Sequence, residues 1–298
     1  MIGLHPTLSR ESPAAASANP RQRSALPFPP RAPLRLALRL SSALSVVSAM
    51  TGLVTVFVPR VLRDPPAFAG NARGTYVVIL LVALPAMAAA MRAAARGSLR
   101  ARFVWLGCVG YLLYNAVISC FALRFNELFL SYVATLSLSV WSLVAVLRCI
   151  HVPSLPLRIS HRLPARALGG YLIATSVAFA LLWSMDVIPA MVSGSIPASL
   201  RGTGLPTNTV QVLDFAFTLP LSMAAGVWVW RRRPWGMLLA GAMLVLLELE
   251  SVSVATDQWF GHLADPTQSA AAVPLFIVLA GIGFVPLMGF VWGIRGEG

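Results

Sequence analysis

Apolar residues fall into eight long blocks, and short polar segments rich in arginine, glycine and proline separate them. Each block is about 20 residues long, the length that an α-helix needs to cross about 30 Å of hydrocarbon. The pattern therefore predicts an all-α membrane protein, a bundle of about eight transmembrane helices. The predicted spans are residues 37–58, 75–95, 103–123, 128–148, 168–188, 209–230, 235–256 and 273–294.

Composition agrees with a membrane protein, since 57% of the residues are hydrophobic and only 11% are charged. Soluble domains contain about 25% charged residues. The net charge of +13 comes from 23 basic residues, all of them arginine. Most of these arginines lie between apolar blocks, where loops of membrane proteins carry them. The charge therefore indicates membrane topology, and no nucleic-acid partner is expected.

The chain divides into a tail and a membrane domain. Residues 1–35 are rich in proline, alanine, serine and arginine, a composition that predicts a disordered segment. Residues 36–298 form the predicted transmembrane domain.

An internal repeat is suggested by two similar blocks. The second block contains Leu84-Pro85, the sixth contains Leu219-Pro220, and Met-Ala-Ala follows closely in both. A duplicated unit of four helices would give two parallel repeats, at residues 36–150 and 166–295, as in some transporter folds. Apolar helices also resemble one another by chance, so this alternative stays open.

Arginine is distributed unequally between alternate loops. The N-terminal tail, the 96–102 and 148–166 regions and the 231–233 turn lie on one side of the predicted bundle, and they hold most of the arginines. Cytoplasmic loops retain positive charge during insertion. The distribution predicts that both termini are cytoplasmic.

Ionisable residues inside membrane spans are costly and are candidates for function. Helical rise places the acids of this chain in the outer half of the bilayer, where polar residues of the third block could share a cavity with them. The candidate intramembrane polar site comprises Asp214, Glu248, Glu250, Asp186, Asn115 and Tyr111. Glu248 and Glu250 lie about 200° apart around one helix, so both cannot face one cavity.

Two interpretations of these acids remain open. In the structural one, the acids pair with Arg124 or Arg201, or hydrogen-bond between helices. In the other, they relay protons or bind a transported solute. No catalytic motif is present, neither a P-loop nor HExxH, GxSxG or CxxC. All four histidines lie in the tail or in loops, so no cofactor and no metal site are expected.

Several segments resemble a family of bacterial multi-pass membrane proteins that has no assigned activity. They are Leu113-Tyr114-Asn115, the segment from Arg124 to Ala134, Ser137-Leu138-Ser139, the segment from Thr207 to Asp214, Leu219-Pro220 and the segment from Trp230 to Gly236. In that family a histidine often stands where this chain has Gln211, which argues against a proton or metal role at this position. The resemblance implies a bacterial inner membrane and no particular reaction.

The sequence assigns no biochemical function; the sharpest hypothesis is transport of a small molecule or an ion, with Asp214 and Glu248 as the residues that carry it. A non-catalytic structural or regulatory membrane subunit is one alternative. A membrane enzyme that acts on lipid at the outer face, through the acids and Arg201, is another. The expected partner is the lipid bilayer, and a homo-oligomer or a membrane partner stays open.

Overall fold

The computed structural model describes residues 31–159 and 163–294, and eight helices in these ranges are long and apolar enough to cross a membrane. The predicted all-α membrane bundle of eight helices is thereby confirmed. The helices are α1 (Arg31–Phe57), α2 (Pro66–Ala95), α3 (Leu99–Phe121), α4 (Phe129–Leu147), α5 (Ala165–Ser193), α6 (Thr209–Trp230), α7 (Pro234–Ala264) and α8 (Ala272–Gly293). Short helical turns lie at Val152–Ser154, Leu155–Arg158 and Ala198–Leu200.

Three helices extend beyond their predicted spans by six residues or more at one end. α1 begins at Arg31, α2 begins at Pro66 rather than at residue 75, and α7 continues to Ala264 rather than ending at residue 256. Hydropathy falls where polar residues such as Asn71 appear, but helical hydrogen bonding continues past that point. Residues 31–35, predicted as part of a disordered tail, are therefore helical. The rest of that prediction, for residues 1–30, lies outside the described residues.

Two helices contain a wide turn next to a proline. In α2 a π-helical turn, Ile79–Ala83, precedes Pro85, and in α6 the turn Asp214–Thr218 precedes Pro220. Proline has no N–H, and its ring clashes with the carbonyl four residues earlier. The helix widens instead, so that Leu84 donates its N–H to the carbonyl of Ile79. The prolines thus widen both helices without ending them.

α7 is the central helix of the bundle, since it packs against α2, α3, α6 and α8. Its closest approach is to α2, where glycines let the two backbones touch. A Cβ atom added at Gly74 would lie 2.5 Å from the Cα of Asp257, and one added at Gly70 would lie 2.5 Å from the carbonyl oxygen of Phe260. Small residues at helix crossings are the usual means of close packing in membranes.

The two halves of the bundle are alike in one respect and different in another. Both second helices, α2 and α6, carry the wide turn before their proline. However, α1 packs extensively along α4, whereas α5 makes little contact with α8. The two four-helix repeats, 36–150 and 166–295, therefore stay a prediction.

The perimeter of the bundle is apolar. Large exposed side chains cover α5 in particular, including Met185, Met191 and Val192, and Leu130 on α4 is 77% exposed. Exposure of so much apolar surface to water would be unfavourable, whereas contact with apolar lipid tails is favourable. The bilayer is thus the environment that this surface requires.

One end of the bundle, which we call the arginine-rich end, carries the start of α1, the α2–α3 and α6–α7 turns, the α4–α5 connection and the end of α8. Arginines there bind backbone carbonyls. Arg100 donates to the carbonyl of Ile294 at 2.6 and 3.0 Å, and Arg102 donates to that of Cys149 at 3.0 Å. Cations favour the negative ends of helices, so these two arginines stabilise the ends of α8 and α4. The other end of the bundle is called the opposite end.

Candidate functional site

Two carboxyl groups lie close together between α3, α6 and α7, in the half of the bundle near the opposite end, and a third lies two turns further along α7. Asp214 lies on α6, and Glu250 and Asp257 lie on α7. Asp214 and Glu250 accept hydrogen bonds from neighbouring residues of α3, Tyr114 and Asn115. Helical rise places Asp214 about 8 Å along α6 from its first residue, Thr209, and so within the span. We call these three residues the acid cluster.

Asp214 is buried and is held by two aromatic side chains from different helices. The hydroxyl of Tyr114 on α3 donates to Oδ1 at 3.1 Å, and the indole N–H of Trp183 on α5 donates to Oδ2 at 2.8 Å. Asp214 is also the first residue of the wide turn in α6. This carboxyl therefore joins α3, α5 and α6 through neutral donors.

Glu250 is bound by the amide of Asn115. The Nδ2 group donates to Oε1 of Glu250 at 2.8 Å and to the backbone carbonyl of Tyr111 at 3.1 Å. One turn further along α7, the hydroxyls of Ser253 and Tyr111 are 3.0 Å apart. Two of the predicted site residues, Asn115 and Tyr111, thus lie beside Glu250.

Asp257 completes the cluster, and sequence reasoning missed it by placing it in a loop beyond residue 256. Its Oδ1 accepts a hydrogen bond from Gln258 at 3.1 Å, and its backbone packs on Gly74. The signal that could have found it is helical spacing. Glu250, Ser253 and Asp257 recur at intervals of three and four residues, which places them on one face of α7.

Asp186 lies one turn closer to the opposite end than Trp183, and it binds a loop. Its carboxylate accepts hydrogen bonds from the backbone N–H of Ala198 and from Nε2 of Gln211, both at 2.9 Å. The same Nε2 lies 3.3 Å from the hydroxyl of Ser199. Gln211 therefore binds Asp186 and the loop, and it lies one turn from Asp214 along α6.

Glu248 points away from this cluster, as the predicted 200° separation from Glu250 requires. Its Oε2 lies beside Gly283 of α8, and the hydroxyl of Tyr171 on α5 lies beside the same glycine. Tyr171 in turn is hydrogen-bonded to Thr175. The structure therefore separates Glu248 from Asp214 and Glu250.

Arg124 and Arg201 do not form ion pairs with any of the four predicted acids. Arg124 instead donates its backbone N–H to Asp64 at 3.0 Å and its guanidinium to the carbonyl of Arg63 at 3.3 Å. Burial raises the pKa of Asp64, although the N–H and the charge of Arg124 oppose that shift. The other structural alternative, hydrogen bonding between helices, matches the geometry of Asp214 and Glu250.

The hydrogen-bond partners of the carboxyl groups are neutral. Within residues 31–159 and 163–294, no group of three histidine, cysteine, aspartate or glutamate side chains is arranged to hold a metal ion. The donors seen at Asp214 and Glu250 are a phenol, an indole and an amide, and all three are neutral. Such donors can bind a carboxyl in either protonation state.

Comparison of the chain with family models, with curated proteins and with solved structures gives no match. The resemblance to a bacterial membrane protein family therefore stays a prediction. The function has to be argued from the geometry of the bundle.

Proposed function

We propose that this protein is a proton-coupled membrane transporter of a small molecule or an ion, and that Asp214 and Glu250 exchange the protons. The observation that supports it best is the position of these two carboxyl groups. They lie in spanning helices, they bind neighbouring residues of α3, and their visible partners are neutral side chains from α3 and α5. Intramembrane acids in such settings form the proton relays of pumps and transporters.

The direction from which protons arrive follows from the polar groups above the cluster. Asp186, Gln211 and Ser199 lead from the loop at the opposite end towards Asp214. Asp186 is partly exposed there, whereas Asp214 is only 8% exposed. In this proposal a proton from this end passes Asp186 and Gln211 before it reaches Asp214, and the solute would be coupled to its arrival.

The test measures protons directly, because the solute is unknown. We expect infrared difference spectra of the purified protein in lipid, recorded between acidic and alkaline pH, to show the carbonyl band of protonated carboxyl groups. Asp214→Asn and Glu250→Gln should each remove a part of this band. Glu127→Gln is the matched control, since Glu127 is exposed and paired with Arg63 at 2.6 Å, and its loss should leave the cluster's band intact. A band unchanged in both cluster variants would refute proton exchange at these residues.

The structural or regulatory subunit is the second candidate, and one observation favours it. The hydrogen bonds of Asp214 connect three helices, so this acid could serve assembly alone. In that case the neutral variants would lower the amount of folded protein and leave the infrared band unchanged. The lipid enzyme finds no such support, because Arg201 is exposed in the loop after Ala198–Leu200 and forms no ion pair with Asp186 or Asp214.

The arginine-rich end, with both termini, is proposed to face the cytoplasm of a bacterial cell, since arginine collects in cytoplasmic loops. Alkaline phosphatase fused after Pro266, between α7 and α8, should therefore be active in a bacterial host, and the same fusion at the C-terminus should be inactive. Green fluorescent protein should give the reverse pattern, because it fluoresces only in the cytoplasm. The opposite result for both reporters would invert the proposed orientation.

A further inference from the structure

A cavity of about 500 Å³ opens at the arginine-rich end, between the first turn of α5 and the turn that joins α6 to α7. Its walls carry Arg166 from α5, Trp230 from the end of α6, and Arg231 and Arg232 from the turn. Arg166, Arg231 and Trp230 are exposed there. The acid cluster lies in the other half of the bundle, so this cavity is a separate feature.

The walls of the cavity are held in place by backbone contacts. Just above it, α5 and α6 touch, since a Cβ atom added at Gly169 would lie 2.6 Å from the carbonyl oxygen of Gly226. Below that crossing, Nη2 of Arg232 donates to the carbonyl of Leu163 at 3.0 Å and connects the turn to the residues before α5. The backbone around the cavity is therefore in place before any ligand binds, and binding would order only the exposed side chains.

The charge of the cavity walls favours an anionic ligand. Three of its wall residues are arginines, and none of the wall residues that the structure describes is acidic. The first turn of α5 also contributes, because no described side chain caps its N-terminus and backbone N–H groups there carry partial positive charge. Guanidinium groups bind phosphate oxygens through paired hydrogen bonds.

The position of the cavity indicates that the anionic group belongs to a lipid. Trp230, at the end of α6, and Trp235, at the start of α7, flank the turn Arg231–Arg233 in the sequence. They are 48% and 56% exposed. Tryptophan gathers at the level of lipid headgroups. α5, whose first turn forms one wall, exposes an apolar surface to the bilayer along its length. A phospholipid could thus place its headgroup in the cavity and its tails along α5.

We propose that this cavity binds the phosphate group of an anionic phospholipid through Arg166 and Arg231. Arg232 acts as the residue that holds the cavity open from the side of the turn. Basic cavities between transmembrane helices bind anionic headgroups in this way. The ligand is a structural or regulatory lipid, and its binding does not depend on the proton exchange proposed above.

Native mass spectrometry of the detergent-purified protein, titrated with phosphatidylglycerol, tests the proposal. Each surface arginine contributes about 1 kcal/mol to binding of anionic lipid, so Arg166→Gln/Arg231→Gln should weaken it about 30-fold. Arg233→Gln is the matched control, because Arg233 lies in the same turn but outside the cavity walls, and it should change binding about fivefold or less. Equal binding by the double variant and the unsubstituted protein would overturn the proposal.

Two further measurements identify the ligand and locate its site, by competition with other ligands and by fluorescence quenching. Phosphatidylcholine should bind weakly, and millimolar inorganic phosphate should fail to displace phosphatidylglycerol. Displacement by phosphate would mean that the cavity holds free phosphate, and it would overturn the lipid assignment. Brominated phosphatidylglycerol should quench tryptophan fluorescence in the unsubstituted protein, and Trp230→Phe should reduce that quenching. Unchanged quenching in this variant would place the lipid elsewhere.

Discussion

Replacing Gly74 by leucine is expected to separate α2 from α7 and to cause a large loss of stability. A Cβ atom there would lie 2.5 Å from the Cα of Asp257 and 2.7 Å from the carbonyl oxygen of Thr256. These are backbone atoms of a helix, so they cannot turn aside as a side chain can. Overpacking of a well-packed site costs about 1–3 kcal/mol, and a backbone clash belongs at or above the upper end of that range.

The measurement is the temperature at which the detergent-purified protein loses its monodisperse peak in size-exclusion chromatography. Gly281→Leu is the matched control, since a Cβ atom at Gly281 meets nothing within 4 Å. Leucine also favours helix over glycine, so this control should keep or raise the midpoint. Equal losses in both variants would show that the α2–α7 contact does not hold the bundle together.

Replacing Asn115 by leucine is expected to produce the second large effect. The variant removes the amide that donates to Oε1 of Glu250 at 2.8 Å, in a buried position. A buried polar group left without its partner costs about 1–3 kcal/mol. Removing both partners by Asn115→Leu/Glu250→Leu should restore much of that loss, because no unpaired polar group then remains.

A double-mutant cycle of these variants, followed by unfolding in mixed micelles, measures the coupling between Asn115 and Glu250. Ser251→Ala serves as a control, because the Ser251 hydroxyl bonds only within its own helix, to the carbonyl of Leu247 at 2.8 Å. It should lower stability little. Additive losses for Asn115→Leu and Glu250→Leu would contradict a direct hydrogen bond between the two side chains.

The sequence predicts the spans of the bundle well because hydropathy and length respond directly to the thickness of the bilayer. It also predicts that Glu248 and Glu250 face different neighbours, since the angle between them depends on helix geometry alone. Which of the two lies near Asp214 depends on how α7 is rotated against α3 and α6. That rotation is set by packing across the whole bundle, and no local pattern encodes it.

Other members of the site were missed for related reasons. Asp257 was assigned to a loop because the hydropathy of α7 falls before the helix ends. Trp183 and Tyr114 read as apolar core or lipid-facing residues, since their polar atoms occupy only the tips of large rings. Only the folded chain shows that both tips point at Asp214.

The helices of this bundle differ in length where they meet the lipid. α4 has 19 residues, about 28 Å at helical rise, whereas α5 has 29, about 43 Å. The bilayer that surrounds the protein has one thickness at rest, so it cannot match both helices. α4 is about as long as the hydrocarbon core is thick, whereas α5 must tilt or extend into the headgroups, and such mismatch costs fractions of a kcal/mol per Å. The protein should therefore sense membrane thickness unevenly around its circumference, and a change in lipid chain length would act on one flank more than on the other.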